Sequence, residues 1–232
     1  MLNSPHILIV GGVSIDTLHL KTRTVTCPGG AGMYTSMAAR RCGINVTMFS
    51  PQMNPLSTHL IPISESLTHW IGPEVSPNDF PRFEISYKNG NTEYLDTRLD
   101  AEADLTPDLL PQDLSIYDIV HLVPLSNAIK QLEFIEECKI RGAKKISAGT
   151  GFFIVKNQLE LVKNIIEKSD YFFMNRLECE STFGLIDNVF TETGKTLFIT
   201  DAEKGVTIVQ GKTHSHISSY PSIELDPTGA GD

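Results

Sequence analysis

The sequence predicts an α/β protein, a mostly parallel sheet sandwiched by helices with a small β-sheet lid. Three observations carry this. Short apolar runs recur along the chain and are continuous rather than alternating, as in strands buried on both faces. Segments with apolar residues at helical spacing lie between them, and strands alternating with helices indicate a parallel sheet. One stretch, Phe83 to Leu95, breaks the rhythm with a hairpin pattern.

In chain order, the first run is His6 to Val10, closed by Gly11-Gly12. Further strands are expected at Ile44 to Phe49, Asp118 to Val123, Lys145 to Ser147, Tyr171 to Met174, Leu197 to Thr200 and Val206 to Gln210. Helices are expected over Gly32 to Cys42 and over Ala128 to Arg141, where Ile129, Leu132, Ile135 and Ile140 share one side. A third spans Gln158 to Lys168, with Leu159, Val162 and Ile165/Ile166. FEISYK and TEYL flank Asn89-Gly90-Asn91 and read as an antiparallel hairpin, and Leu18 to Thr26 alternates like one half-exposed strand. Together they make a small sheet off the main one, with lid segments at 17–28 and 82–98; edge strands of the main sheet are the alternative. With no long linker, low-complexity tract or repeat, residues 1–232 read as a single domain.

The 232 residues, 41% hydrophobic, suffice for a substantial core. Lys+Arg 19 against Asp+Glu 28 gives a net charge of −9, which disfavours a nucleic-acid partner. An anionic substrate stays open, because backbone N–H groups and a metal can hold a phosphate locally. No apolar run approaches the roughly 18 residues of a membrane span, and the start lacks the features of a signal peptide, so no membrane partner is expected. Cys27, Cys42, Cys138 and Cys179 form no CxxC pair and read as reduced thiols of a cytoplasmic protein.

The strongest local signal is Asp226-Pro227-Thr228-Gly229-Ala230-Gly231-Asp232. A Gly-Ala-Gly run leaves backbone N–H groups open to an anion, and a helix starting there would add the positive end of its dipole. Asp232 beside such a nest can take a proton from an attacking hydroxyl, and phosphoryl transfer needs both parts together. Taken alone, the same residues also read as a Gly-rich turn capped by Asp. Gly11-Gly12 lacks the GxGxxG spacing of a dinucleotide loop, and neither GxSxG nor HExxH is present. His214 and His216 have no third ligand near them in sequence, and His121, inside an apolar run, reads as a satisfied core histidine.

The GAGD run is accompanied by VSID ending at Asp16, PGGAGMYTSMAARRCG at 28–43, NRLE at 175–178 and TDAEKG at 200–205. In this order the motifs resemble the ribokinase-like (PfkB) carbohydrate kinase family, with its early Asp and Gly-Gly, its NxxE, its TLGxxG and its DTTGAGD. The resemblance implies that Asp16, at the C-terminal end of the first strand, accepts hydrogen bonds from sugar hydroxyls. It implies that Gly29 and Gly30 are the joint on which the lid closes over substrate. Asn175 and Glu178 would place magnesium-bound phosphates, Glu178 through water, while Thr200, Gly205 and Thr228 would line the nucleotide side. Asp232 would be the general base, with Gly229, Ala230 and Gly231 stabilising the transferred phosphoryl.

Three departures stand out. Tyr34 occupies a position where the family commonly has an Asn that contacts the sugar, so a phenol replaces an amide. Asp201 and Ala202 stand where Leu and Gly are usual. The family continues past the GAGD Asp through a helix completing the anion hole, so the chain is expected to be incomplete at its C-terminal end, to bind ATP poorly and to turn over little. Arg98, after the lid hairpin, is a candidate to receive a carboxylate or phosphate, with a solvated surface role as the alternative.

The implied function is ATP-dependent phosphoryl transfer to a hydroxyl of a sugar or sugar-like small molecule, with ATP and magnesium as cofactors. A nucleoside or vitamin-precursor kinase of the same fold is an alternative, since Tyr34 can stack on a base. A non-catalytic metabolite-binding protein is another, favoured by the altered TDAEKG loop. Exposed strand edges on the lid lead us to expect a homodimer through it.

Overall fold

The structure, a computed structural model, describes residues 4–88, 91–222 and 231. The protein is α/β, with a large, mostly parallel sheet, its helices and a separate four-stranded sheet. Two compact units divide it, the first running to Gln112 with Ile116–Asp118, the second holding Asp113–Ser115 and Ile119 onwards.

The first unit opens with β1 (His6–Val10), whose Leu8, Ile9 and Val10 are buried. Each such side chain contributes about 1.5–3 kcal/mol on burial. The chain then leaves through β2 (Ser14–His19) and β3 (Thr24–Gly29), and α1 (Ala31–Arg41) returns it to β4 (Asn45–Phe49). β4 lies parallel to β1, paired from His6↔Asn45 to Val10↔Phe49. Helix α1 stops before Gly43, whose φ of +78° is the left-handed conformation that favours glycine after a helix. There follow β5 (Gln52–Met53), α2 (Ile61–Ser66), β6 (His69–Ile71) and β7 (Glu74–Val75), with β6 parallel to β4 and β5 parallel to β7. The only tryptophan, Trp70 on β6, donates its indole N–H to Ser50 Oγ at 2.9 Å.

Strands β8 (Arg82–Lys88) and β9 (Asn91–Arg98) form the expected antiparallel hairpin, and Asn89-Gly90 lie outside the described residues. The small sheet has the order β3-β2-β8-β9, so these strands form a sheet of their own rather than an edge of the large one. One expectation is corrected here. Leu18 to Thr26 is not one strand but parts of two, turning where Leu20 N–H donates to Arg23 O at 2.9 Å. Lys21-Thr22-Arg23, polar throughout, marks the turn, while both arms of a hairpin keep the same alternation.

The second unit runs β10 (Ile119–Leu122), α3 (Ala128–Ile140), β11 (Ile146–Gly149), α4 (Phe152–Lys168), β12 (Tyr171–Asn175), α5 (Arg176–Phe183), β13 (Thr196–Thr200), β14 (Val206–Gln210) and β15 (Thr213–Ile217). β10, β11, β12 and β13 pair in parallel, and β14 and β15 add an antiparallel meander. Asn127 caps α3, its Oδ1 accepting from Lys130 N–H at 2.9 Å. Gln131, buried on the inner face of α3, donates to the carbonyls of Leu122, Val123 and Gly149. The helix expected from Gln158 starts instead at Phe152, with a break at Gln158 (φ −137°, ψ 40°). That break coincides with the side chain whose Oε1 accepts from Ala128 N–H at 2.7 Å, at the start of α3.

None of the four cysteines is in a disulfide, with Cys42 exposed and Cys138 and Cys179 buried. Burial pushes those two thiols up to about 12 and about 11, which keeps them protonated and inert. No helix among the described residues is long and apolar enough to cross a membrane.

Candidate active site

Asp16 is not at the end of the first strand but within β2, opposite Cys27 on β3. Gly11-Gly12 has already ended β1, and the VSID pattern hides that break. Ser14, Asp16 and Leu18 take the buried side of β2. Asp16 is 4% exposed, and its Oδ1 has no hydrogen-bond partner. Burial pushes its carboxyl above the usual range, and the nearby Ser14 hydroxyl and Phe83 backbone oppose this only in part.

Gly29 lies against this carboxylate and Gly30 against the loop after β1, because nothing larger fits at either. A Cβ on Gly29 would lie 1.8 Å from Asp16 Oδ2, and one on Gly30, at φ +94°, would lie 2.5 Å from Gly12 O. Gly32 N–H donates to that same Gly12 oxygen at 3.0 Å, so the start of α1 presses on the loop after β1. Tyr34 is half-buried in the first turn of α1, its N–H donating to Gly30 O. Arg98 stands on β9, largely exposed, and pairs with Asp96 at 3.3 Å.

Sequence reasoning missed three hydroxyls and one carboxylate in this unit. Ser14 Oγ, Thr35 Oγ1 and Ser36 Oγ are buried without partners. Glu102, in the short turn Asp100–Glu102, is 9% exposed, and a Cβ on Gly12 would lie 2.1 Å from its Oε2. No local pattern signals Glu102, because a contact far along the chain from Gly12 brings it there.

In the second unit the structure brings Asn175 and Thr200 together. They are register partners at the C-terminal ends of parallel strands β12 and β13, both exposed. Asn175 and Glu178 form a capping box at the start of α5: Asn175 Oδ1 accepts from Glu178 N–H at 2.9 Å, and Glu178 Oε2 accepts from Asn175 N–H at 2.8 Å. Glu178 is 4% exposed, and burial raises its carboxyl pKa. A carboxylate so placed suits action on a metal through water, not direct ligation.

Beyond Thr200, Asp201 pairs with Arg176 at 3.0 Å and with Lys204 at 3.4 Å. The Arg176 hydrogen bond, ahead of Lys204, holds the Asp201 carboxyl below its ordinary range. Ala202 has φ +45°, a left-handed backbone costly for any residue with a Cβ, which accounts for the glycine usual there. Gly205, at φ +103°, is required by close packing, since a Cβ would lie 2.1 Å from Ile217 O. His121 donates to or accepts from Ser147 Oγ at 2.7 Å, and burial lowers its pKa to about 4, so it is a neutral interior histidine. Among the described residues no cluster of three or more His, Cys, Asp or Glu can hold a metal ion.

Thr228, Gly229, Ala230 and Asp232 lie outside the described residues; Gly231 is an exposed turn residue.

With that geometry in place, comparison with solved structures identifies the fold as ribokinase-like. A nucleoside kinase of Burkholderia thailandensis, solved with inosine, superposes at TM-score 0.80 and 16% identity, over 97% of this chain and 80% of that one. The nucleoside kinase of Methanocaldococcus jannaschii, described as an archaeal member of the ribokinase family, gives 0.75 and 20%, over 97% and 80%. Ribokinase of Giardia lamblia gives 0.77 and 16%, over 98% and 80%. No protein-family model and no curated protein sequence matches the chain.

Proposed function

We propose that the protein is an ATP-dependent kinase that phosphorylates a hydroxyl of a sugar or sugar-like small molecule. The observation that carries this reading is Asp16, a buried carboxylate with an unpartnered oxygen, packed against Gly29 where no side chain fits. An acceptor kept desolvated and unsatisfied suits hydroxyl recognition, and the ribokinase-like fold and the DPTGAGD run supply the context.

In this reading Asp16 orients the substrate polyol and Asp232 removes the proton of the attacking hydroxyl. Backbone N–H groups of Gly229, Ala230 and Gly231 stabilise charge on the transferred group, with Thr228 beside them. Asn175 and Thr200 flank the phosphates, Glu178 acts through water, and Gly205 keeps the loop after β13 in shape. ATP with magnesium supplies the phosphoryl group and neutralises its charge. The test is transfer of labelled γ-phosphate from ATP to a panel of sugars and polyols. In a protein that continues past Asp232, Asp232→Asn is expected to lower turnover about 10²–10⁴-fold while ATP binding persists; equal turnover in this variant rejects the base assignment.

A second reading, a nucleoside kinase, is favoured by Tyr34, whose half-buried ring in the first turn of α1 can stack on a base, and by nucleoside kinases among the structural neighbours. Competition between adenosine and sugars for binding separates the two. We also propose a homodimer through the small sheet, whose edge strand β9 exposes Tyr94 and Leu95. A monomeric mass by light scattering refutes it.

A further inference from the structure

We infer that Glu102 is a specificity-determining residue of the substrate pocket, a second carboxylate that with Asp16 selects neutral or amine-bearing polyols and rejects sugar acids and sugar phosphates. The inference rests on the kinase reading in taking the surroundings of Asp16 as the substrate pocket.

The Glu102 carboxylate lies against Gly12, in the loop that follows the C-terminal end of β1, where open α/β sheets bind ligands. Gly12 O lies 2.5 Å from where a Gly30 Cβ would stand, and Asp16 Oδ2 lies against Gly29. Both carboxylates therefore abut glycine backbone, on two segments that touch where Gly30 meets Gly12. The turn that delivers Glu102 contains Asp100 at φ +39°, strained for a residue with a side chain and held by Ala101 N–H donating to Asp79 O.

Asp16 Oδ1 and the Ser14 and Ser36 hydroxyls lack partners in residues that are 4%, 1% and 0% exposed. Ser36 shares a face of α1 with Gly32, which packs on Gly11 and Gly12. A ligand rich in O–H or N–H donors satisfies such a set, because an ionised carboxylate only accepts, and an ammonium adds charge complementarity. An anionic ligand would instead bring a like charge to desolvated carboxylates. Arg98, the cation best suited to receive an acid, is engaged with Asp96 on exposed β9.

Calorimetric titration of the chain with ribose, myo-inositol, glucosamine, gluconate and ribose 5-phosphate tests this. At least one of the first three is expected to bind more than about tenfold tighter than either acid, and Glu102→Gln to cut that preference below about threefold. Circular dichroism checks that the variant folds. Should it not fold, Glu102→Asp keeps the charge and is expected to keep the preference, whereas its loss overturns the inference. A wild-type chain that binds gluconate or ribose 5-phosphate as tightly, that binds none of the first three, or whose preference survives Glu102→Gln overturns it as well. Parallel γ-phosphate transfer assays on a protein that continues past Asp232 separate the two readings: selective binding without transfer defeats the kinase reading alone, and transfer to gluconate defeats this one alone.

Discussion

In the first unit, Asp16, Ser14 and Ser36 are buried with polar atoms that lack partners, a carboxylate oxygen among them, whereas in the second unit, where Gln131 Oε1 and Thr150 Oγ1 lack partners, the carboxylates Glu178 and Asp201 are engaged by Asn175 and Arg176. A buried polar group left unsatisfied costs roughly 1–3 kcal/mol, so several together are a standing penalty on the folded state. The Asn175–Glu178 box and the Asp201 pairs carry no such penalty and hold α5 and the loop after β13 in place. The contrast teaches that the first unit leaves a carboxylate unsatisfied at the expense of stability, which is the group the kinase reading assigns to the substrate. In the second, the same residues that would meet a nucleotide also serve the fold.

The sharpest way to break this contrast is Gly30→Ala. A Cβ there meets Gly12 O at 2.5 Å on a left-handed backbone, and the loss expected in urea unfolding is about 3 kcal/mol. Retention of wild-type stability would mean that the close packing of Gly30 is not required.

Asp16→Asn comes next and should separate function from stability. Because burial raises the folded-state pKa, ionisation of Asp16 opposes folding, and that penalty grows as pH rises from the ordinary carboxylate range through the raised pKa. At neutral pH the variant is expected to be as stable as wild type or more so, with a flatter pH–stability curve. Ligand affinity should fall about tenfold to a hundredfold, the scale of a hydrogen bond to a charged group. A variant that loses stability at pH 7 while binding normally would reverse the contrast.

Smaller effects sharpen the second unit. Glu178→Ala removes the side-chain half of the capping box and is expected to cost about 1 kcal/mol in thermal unfolding. No loss would mean that the Glu178 side chain adds nothing to the cap. Ala202→Gly removes left-handed strain while loosening the unfolded chain, for a net gain of about 0.5 kcal/mol. A loss of stability in this variant would show the Ala202 conformation to be favourable in its own context.

Much of the architecture was legible from period alone. β1 and β14 have the expected limits, and the hairpin around Asn89-Gly90 pairs as read. Errors arose where two elements share one pattern. The β2–β3 turn was invisible because alternation continues through it, and the start of α4 was missed because Gln158 interrupts the helix. Of the candidate site, Asp16, the glycines, Asn175 and Thr200 were singled out by motifs, which follow the local backbone. Glu102 and Ser36 were not found, because only long-range packing gives a buried carboxylate or hydroxyl its meaning. The pairing of Asp201 with Arg176 was not legible, because it depends on the neighbouring strands β12 and β13.

Trp70 gives the molecule a built-in optical asymmetry. As the only indole, half-buried in the first unit and bonded to Ser50, its emission follows that unit, while α3, α4 and α5 weight the far-ultraviolet dichroism toward the second. Melting curves recorded by the two signals would coincide if the units unfold as one cooperative block and separate if each melts by itself.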